Sequence, residues 1–264
     1  MKLNGHPTWV HVPRARREVV TLLHGGLSSS ASMLRRFRGR LSKDFDLAAF
    51  DRRGHGRTAD RPGEAFHYAD MAKETIAFLE YLGRPSHLVG HSDGGVVALH
   101  VALDRPDLID RVVLIGTNFH HRGLVAMPEL ALDGPEFEEF AAGYVAGGVG
   151  DRAAASEIWR KSLELTAREP TLKERDLARI TRPVLVVSGD DDVARLEHTV
   201  ALYRALAQGQ LAVLPASSHA LLKEHPGLST RIIRHFLLEE LPPRTLYPIR
   251  RAGASRRSPE VGTG

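Results

Sequence analysis

The chain has 264 residues, no cysteine, 42% hydrophobic residues, 26% charged residues and a formal net charge of +4. These values are ordinary for a soluble globular protein, and the missing thiols exclude disulfides and cysteine chemistry. No apolar run approaches the roughly 20 residues of a membrane span, and the first residues lack the apolar segment of a signal peptide. We therefore expect a cytoplasmic protein with no membrane contact.

Short apolar segments alternate with amphipathic ones along most of the chain. Strands are predicted at 8–12, 19–24, 46–51, 87–91, 111–116, 183–188 and 211–214. Helices are predicted between and after them, at 31–41, 68–82, 94–104, 196–207 and 228–239. Several strands are almost continuously apolar, which is typical of a parallel sheet covered on both faces. The alternation predicts an α/β fold with a doubly wound, mostly parallel sheet.

One interval interrupts this alternation. About sixty residues separate the predicted strands at 111–116 and 183–188, which is too long for a simple crossover loop. Helical patterns occur within it at 135–144 and 152–167. We interpret residues 120–180 as a helical cap inserted over one edge of the sheet.

The rest of the chain divides around this insertion. Residues 1–119 and 181–241 are expected to form the α/β core. Residues 242–264 are rich in Pro, Arg, Ser and Gly, and so few apolar side chains predict a disordered tail.

Arginine-rich clusters occur at 14–17, 35–40 and 250–257. A nucleic-acid site would need such charge gathered on one face, with aromatic side chains that stack on bases. These clusters are scattered, and aromatic residues make up only 6% of the chain. We interpret the clusters as solvated surface and expect no nucleic-acid partner.

The strongest chemical signal is the Gly-His-Ser-Asp-Gly segment from Gly90 to Gly94. It follows an apolar strand and precedes a helical pattern, which is the context of the Gly-x-Ser-x-Gly nucleophile elbow. Glycines on either side of the serine let the backbone turn sharply without steric clash. Ser92 is therefore the predicted nucleophile. The alternative is a glycine-rich turn that carries an idle surface serine.

A serine nucleophile needs a histidine base and an acid that orients it, in the chain order Ser, Asp or Glu, His. His219 follows the last predicted strand, where a loop can aim it back at Ser92. The acid follows the strand at 183–188, where Asp190, Asp191 and Asp192 are consecutive. Adjacent ionised carboxylates repel, so all three cannot point inward, and spacing alone does not choose between them.

Acyl transfer also requires backbone donors for the oxyanion. The predicted donors are the N–H groups of Asp93, directly after the nucleophile, and of Gly26, in the His24-Gly25-Gly26 loop. The backbone of Gly25 and the carboxylate of Asp93 are expected to contact the substrate, and Asp93 would pair with an ammonium group. The alternatives are a simple turn at the glycines and an Asp93 side chain that only makes local hydrogen bonds.

Together these segments resemble the α/β-hydrolase superfamily over residues from about 5 to 240. The matching segments are 24–26, 51–58, 90–95, 189–192 and 218–219. The family's Gly-x-x-Asp loop implies Asp192 as the catalytic acid. Its structural Asp-x-Arg-Gly-x-Gly-x-Ser turn corresponds to residues 51–58, with Thr58 in place of the usual serine. Gly-x-Ser-Asp-Gly-Gly, followed by Gly116-Thr117-Asn118, is most similar to the valacyclovir hydrolase (biphenyl hydrolase-like) esterases.

The resemblance implies the α/β-hydrolase fold and a serine hydrolase that forms an acyl-enzyme intermediate. Small carboxylic esters, including amino-acid esters, are the expected substrates, with no metal or organic cofactor and a monomeric or homodimeric protein. Carbon–carbon bond hydrolases, lactonases and cofactor-free perhydrolases keep the serine and stay open as alternatives. A non-catalytic ligand-binding protein of the same fold is a further alternative. Haloalkane dehalogenases and epoxide hydrolases are disfavoured, because their elbow carries Asp where this chain has Ser92.

Overall fold

A computed structural model of the protein describes residues 1–14, 16–125, 134–241, 243, 245–247 and 249. The strands are β1 (Lys2–Leu3), β2 (His6–Pro7), β3 (Val10–His11), β4 (Val19–Leu23), β5 (Asp46–Phe50), β6 (Ser86–His91), β7 (Ile109–Ile115), β8 (Val184–Asp191) and β9 (Gly209–Ser218). The helices are α1 (Ser30–Leu41), α2 (Tyr68–Leu82), α3 (Asp93–Asp104), α4 (Pro135–Ala146), α5 (Arg152–Arg168), α6 (Glu174–Leu177), α7 (Leu196–Ala205), α8 (Leu221–Glu224) and α9 (Pro226–Leu238).

The central sheet has the strand order β3-β5-β4-β6-β7-β8-β9. Strand β3 pairs antiparallel with β5, and all the other neighbouring strands are parallel. The predicted mostly parallel, doubly wound sheet is confirmed. The carboxyl ends of parallel strands lie at one edge of a sheet, so the loops that follow β4, β6, β7, β8 and β9 gather there.

Alternate side chains of the central strands enter two different hydrophobic cores. On β4, Val19 and Leu23 belong to one core, and Val20 and Leu22 belong to the other. The first core includes side chains from α2 and α3, and the second includes side chains from α1 and α9. Burying a side chain of this size stabilises the fold by about 1.5–3 kcal/mol. The continuous apolar sequence of such strands follows from their having a core on each face.

The ends of several strands differ from the sequence prediction. The first predicted strand, 8–12, shortens to Val10–His11, and a hairpin of β1 and β2 precedes it. Asn4 and Gly5 form the hairpin turn with φ angles of 46° and 75°. The last strand, predicted at 211–214, extends over Gly209–Ser218, because β8 and β9 continue to pair as far as Asp191 and Ser218. Because the residues at the ends of both strands are mostly polar, the hydrophobicity pattern does not predict this extension.

Helices α4, α5 and α6 occupy the interval for which the sequence predicts a cap. Ile158 and Trp159 of α5 belong to the same core as α2 and α3. Nζ of the buried Lys161 lies 2.6 Å from Oδ2 of Asp60, so α5 is also tied to the loop before α2. Glu169, just after α5, accepts a hydrogen bond from the backbone N–H of Tyr68 at the start of α2.

The division into core, cap and tail stays a prediction. Residues 126–133 of the predicted cap and most of the predicted tail, 242–264, lie outside the described residues. No helix in the described part of the chain has both the length and the apolar character needed to cross a membrane.

Candidate active site

Ser92 occupies the sharp turn between β6 and α3. Its φ and ψ angles are 53° and −122°, a conformation that residues other than glycine rarely adopt. The strained turn is held by hydrogen bonds on both sides. Ser92 N donates to the carbonyl of Ile115 at 2.8 Å, and its carbonyl accepts from the N–H of Gly95 at 2.8 Å. The backbone of Ser92 is thereby fixed at the carboxyl edge of the sheet, just before the N-terminus of α3.

The two glycines of the motif are required by close backbone packing. A Cβ atom on Gly90 would collide with the backbone carbonyl of Gly94. A Cβ atom on Gly94 would in turn collide with the carbonyl of Leu23 at the end of β4. Side chains at either position would force the turn away from the neighbouring strand, so the Gly-x-Ser-x-Gly spacing reflects the packing of β6, α3 and β4.

The structure brings His219 and Asp192 into direct contact. Nδ1 of His219 lies 2.7 Å from Oδ1 of Asp192, whose side chain is fully buried. Burial opposes ionisation of Asp192, but the hydrogen bond and charge of His219 prevail and hold the pKa of that carboxyl below its ordinary value. An ionised carboxylate can only accept, so Nδ1 carries the proton in this contact, which leaves Nε2 as the ring nitrogen that can take up another proton.

The other two aspartates of the triplet have different surroundings. Asp190 accepts hydrogen bonds from the N–H groups of Ala216 and Ser217, at 3.1 and 3.0 Å. These bonds lower the pKa of Asp190 and brace the chain just before His219. Asp191 is exposed and lies at the end of β8. The three adjacent carboxylates thus separate in space, as their mutual repulsion requires.

The end of β7 is the point at which these segments meet. The carbonyl of Ile115 holds the backbone of Ser92, as described above. The next residue, Gly116, is so close to the acid and the base that an added Cβ atom would lie 2.9 Å from Nδ1 of His219 and 3.1 Å from Oδ2 of Asp192. The loops of Ser92, Asp192 and His219 are therefore anchored around one strand end.

His91 connects the turn at Ser92 to the loop that carries His219. Its Nε2 lies 3.1 Å from the carbonyl of His219, and the two rings are 5.0 Å apart between centroids. Burial, helped by the neighbouring His219, lowers the pKa of His91 to about 4. His91 is therefore neutral at pH 7 and donates from Nε2. This contact positions the backbone of His219.

The glycine loop, residues 24–26, packs directly against the elbow. A Cβ atom on Gly25 would lie 3.2 Å from Cβ of Ser92, and one on Gly26 would lie 2.6 Å from Oδ2 of Asp93. The loop thus adjoins both the serine and the first residue of α3. The N–H groups at a helix start have no partner within the helix, and Asp93 is the first residue of α3.

Two side chains that the sequence did not single out complete the surroundings. The hydroxyl of Tyr68 donates to Oδ1 of Asp93 at 2.8 Å, and the buried Arg52 donates to two carbonyls of the glycine loop. No motif spacing marks either residue. The only sequence signal is that Arg52 stands inside the structural turn at 51–58. Among the described residues, no group of three or more His, Cys, Asp or Glu is arranged to hold a metal ion.

The sequence profile of the Alpha/beta hydrolase family matches residues 22–228, and the chain belongs to this family. The "Uncharacterized hydrolase YugF" of Bacillus subtilis is 26% identical over 86% of this chain and 92% of its own length. The "Putative carbamate hydrolase RutD" of Agrobacterium fabrum is 28% identical over 82% of this chain and 92% of its own. The enol-lactonase of Burkholderia xenovorans LB400 has a similar fold, with a TM-score of 0.71 at 20% identity over 90% and 98% of the two chains. The protein is therefore an α/β-fold hydrolase.

Proposed function

We propose that this hydrolase cleaves small carboxylic esters through an acyl-enzyme intermediate, with Ser92 as nucleophile, His219 as base and Asp192 as orienting acid. The observation that carries the proposal is the 2.7 Å contact between His219 Nδ1 and the buried Asp192 carboxylate, beside the strand end that also holds Ser92. A solitary surface serine would need no such partners. An imidazole paired with a buried carboxylate and anchored beside a strained serine is the arrangement that nucleophilic catalysis requires.

The proposed reaction has two steps. Oγ of Ser92 attacks the substrate carbonyl carbon as Nε2 of His219 takes the hydroxyl proton. The tetrahedral oxyanion accepts hydrogen bonds from the N–H groups of Gly26 and Asp93, until the bond to the alcohol oxygen breaks and His219 protonates that oxygen. A water molecule then attacks the acyl carbon and gives its proton to His219. The bond to Oγ breaks, and the acid leaves as Ser92 recovers its proton.

Substrate choice is the finer part of the proposal. The relative in Agrobacterium is named for carbamates and the solved enzyme of Burkholderia for an enol-lactone. Both compounds, like esters, contain a carbonyl carbon open to serine attack. We place esters first because the elbow reads Ser92-Asp93-Gly94-Gly95, the pattern of the esterase group that the sequence resembles. The predicted cap, 120–180, would shape the pockets for the acyl and alcohol parts.

A substrate panel tests the choice. The purified protein is assayed with p-nitrophenyl esters of two to eight acyl carbons, lactones, a carbamate, a vinylogous diketone and a peroxide acceptor. We expect kcat/KM for the best ester to exceed that of every other class by at least about tenfold. A higher value for the lactones, the carbamate or the diketone would instead assign the protein to that class.

Amino-acid esters are a second candidate, favoured by the position of Asp93. Its Oδ1 is taken by Tyr68, whereas its Oδ2 adjoins Gly26 of the proposed oxyanion loop. An ammonium group on the α-carbon of a bound acyl group would lie near this second oxygen. A charge-assisted hydrogen bond of that kind strengthens binding more than a neutral one does.

Asp93→Asn is expected to lower the ratio of kcat/KM for an alanine ester to kcat/KM for the matching propionate ester by about tenfold, which corresponds to ~1.4 kcal/mol. The amide keeps the size of the side chain and removes the negative charge. Any general damage to the site cancels in the ratio, since both esters share the alcohol and the acyl-chain length. An unchanged ratio would assign the Asp93 side chain a local role only.

A further inference from the structure

We infer that Arg52, Asp93 and Tyr68 are positioning residues that fix the two oxyanion donors of the proposed site relative to each other. The inference rests on the proposed function, because it concerns the same Gly26 and Asp93 amides. It adds a buried network that joins the glycine loop, residues 24–26, to the helix after the nucleophile.

Arg52 controls the direction of the Gly26 N–H through the preceding carbonyl. Its guanidinium donates to the carbonyl of His24 at 2.5 Å and to the carbonyl of Gly25 at 3.1 Å. The carbonyl of Gly25 and the N–H of Gly26 belong to one planar trans peptide and point in opposite directions. The direction of the Gly25 carbonyl therefore sets the direction of the Gly26 N–H. Because the buried Arg52 holds the carbonyl toward the protein interior, the N–H points the opposite way.

His24 acts on the same peptide. Its Nδ1 lies 2.7 Å from the carbonyl of Gly25, and its Nε2 accepts the backbone N–H of Arg52 at 3.1 Å. One nitrogen donates and the other accepts, which requires a neutral ring. Burial, together with the charge of Arg52, lowers the pKa of His24 well below its ordinary value. Arg52 and His24 thus hold the Gly25 carbonyl with two separate donors.

Asp93 fixes the loop from the opposite side. It is the first residue of α3, its own N–H is the second of the proposed oxyanion donors, and the residue is only 7% exposed. Its Oδ2 lies so close to Gly26 that a Cβ atom added to Gly26 would be 2.6 Å away. Its Oδ1 accepts a hydrogen bond from the hydroxyl of Tyr68 at 2.8 Å. Tyr68 is buried on the first turn of α2. It therefore holds the carboxylate against the loop.

Charge explains why an arginine and an aspartate are used together. Arg52 is 1% exposed, and burying a charge is costly unless an opposite charge compensates it. Burial lowers the pKa of Arg52, and Asp93 is the strongest of the acidic groups that oppose this change, ahead of Glu74. Burial and the adjacent Asp93 raise the pKa of Tyr68, which therefore stays protonated as a donor. Asp93 is thus the principal counter-charge of the arginine that aims Gly26.

Tyr68→Phe is the most conservative test, because it removes one hydroxyl and keeps the buried ring. We expect kcat to fall about tenfold with KM changed less than twofold, since a small displacement of oxyanion donors weakens the transition state selectively. The loss should be the same for amino-acid and neutral esters. Affinity for a trifluoromethyl ketone, which forms an oxyanion on serine, should fall by the same factor. Tyr81→Phe on the same helix is the matched control, because Tyr81 is 59% exposed.

Arg52→Lys is the second variant, since lysine keeps the charge but cannot contact both carbonyls as a fork. We expect about a hundredfold lower kcat for folded protein, again with little change in KM.

Wild-type kcat and ketone affinity in Tyr68→Phe would overturn the inference, as would a loss confined to KM. If Ser92→Ala retained full turnover, the proposed function itself would fail. An inactive Ser92→Ala beside a fully active Tyr68→Phe would overturn the positioning network alone.

Discussion

Ser92→Ala is expected to reduce kcat for the best ester by at least about 10³-fold, and the loss could approach 10⁶-fold. The substitution deletes the only atom that forms the covalent bond to the acyl group. His219, Asp192 and the backbone donors would remain in place, so residual hydrolysis would come from positioned water. Because the change removes a single hydroxyl from a partly exposed residue, we expect the free energy of unfolding to stay within about 0.5 kcal/mol of the wild type.

Steady-state kinetics and urea unfolding of the purified variant give both quantities. A fluorophosphonate probe supplies an independent readout, because it should label wild-type protein at Ser92 and leave the variant unlabelled. Ser156→Ala is the control, since that serine lies in α5 with its hydroxyl bonded to the carbonyl of Arg152. Retained turnover in the Ser92 variant would refute the nucleophile. A folded wild-type protein that neither labels nor turns over any ester would instead favour a non-catalytic binding role.

The elbow is the part of the candidate site that sequence predicts best, because its signal is local. Gly90, Ser92 and Gly94 lie within five residues, and the close backbone approach that they allow is a property of the turn itself. The strands that flank the turn are recognisable for a similar reason. Alternate residues of strands such as β4 are buried in separate cores, which leaves an apolar sequence without interruption.

The placement of Tyr68, Asp93 and Arg52 around the glycine loop could not be predicted in this way. They depend on the strand order, in which β4 lies between β5 and β6, and hydrophobic periodicity carries no information on strand order. Tyr68 and Asp93 are 25 residues apart and become neighbours only when α2 and α3 pack on the same face of the sheet. Nothing in the sequence around a tyrosine at the first position of a helix predicts that its hydroxyl makes a buried hydrogen bond.

The acid of the site could be predicted from the sequence only in part. Chain order restricts it to the residues that follow the predicted strand at 183–188, but the repulsion argument leaves Asp190, Asp191 and Asp192 equivalent. The family resemblance implies Asp192, and in the structure the extended pairing of β8 with β9 separates the three residues. It directs Asp190 toward the backbone of 216–217 and carries the next loop toward His219. That extension involves polar residues at both strand ends, where the hydrophobic pattern has already stopped.

Asp192→Asn is accordingly expected to lower kcat by about 10⁴-fold, whereas Asp191→Asn should stay within about twofold of the wild type. An asparagine amide can donate to Nδ1 of His219, which places the imidazole proton on Nε2. That tautomer cannot take a proton from Ser92. The variant also lacks the negative charge that would stabilise the imidazolium formed in each step.

Asp190→Asn separates a catalytic role from support of the loop. Its amide oxygen can still accept from one of the N–H groups of Ala216 and Ser217, so we expect a loss of less than about tenfold in kcat. The three variants, each compared by kcat and by fluorophosphonate labelling rate, form one matched series of neighbouring carboxylates. A larger loss at Asp190 or Asp191 than at Asp192 would contradict the assignment. Because the pKa of Asp192 lies below its ordinary value, the carboxylate is ionised at neutral pH, and the comparison made there measures its loss directly.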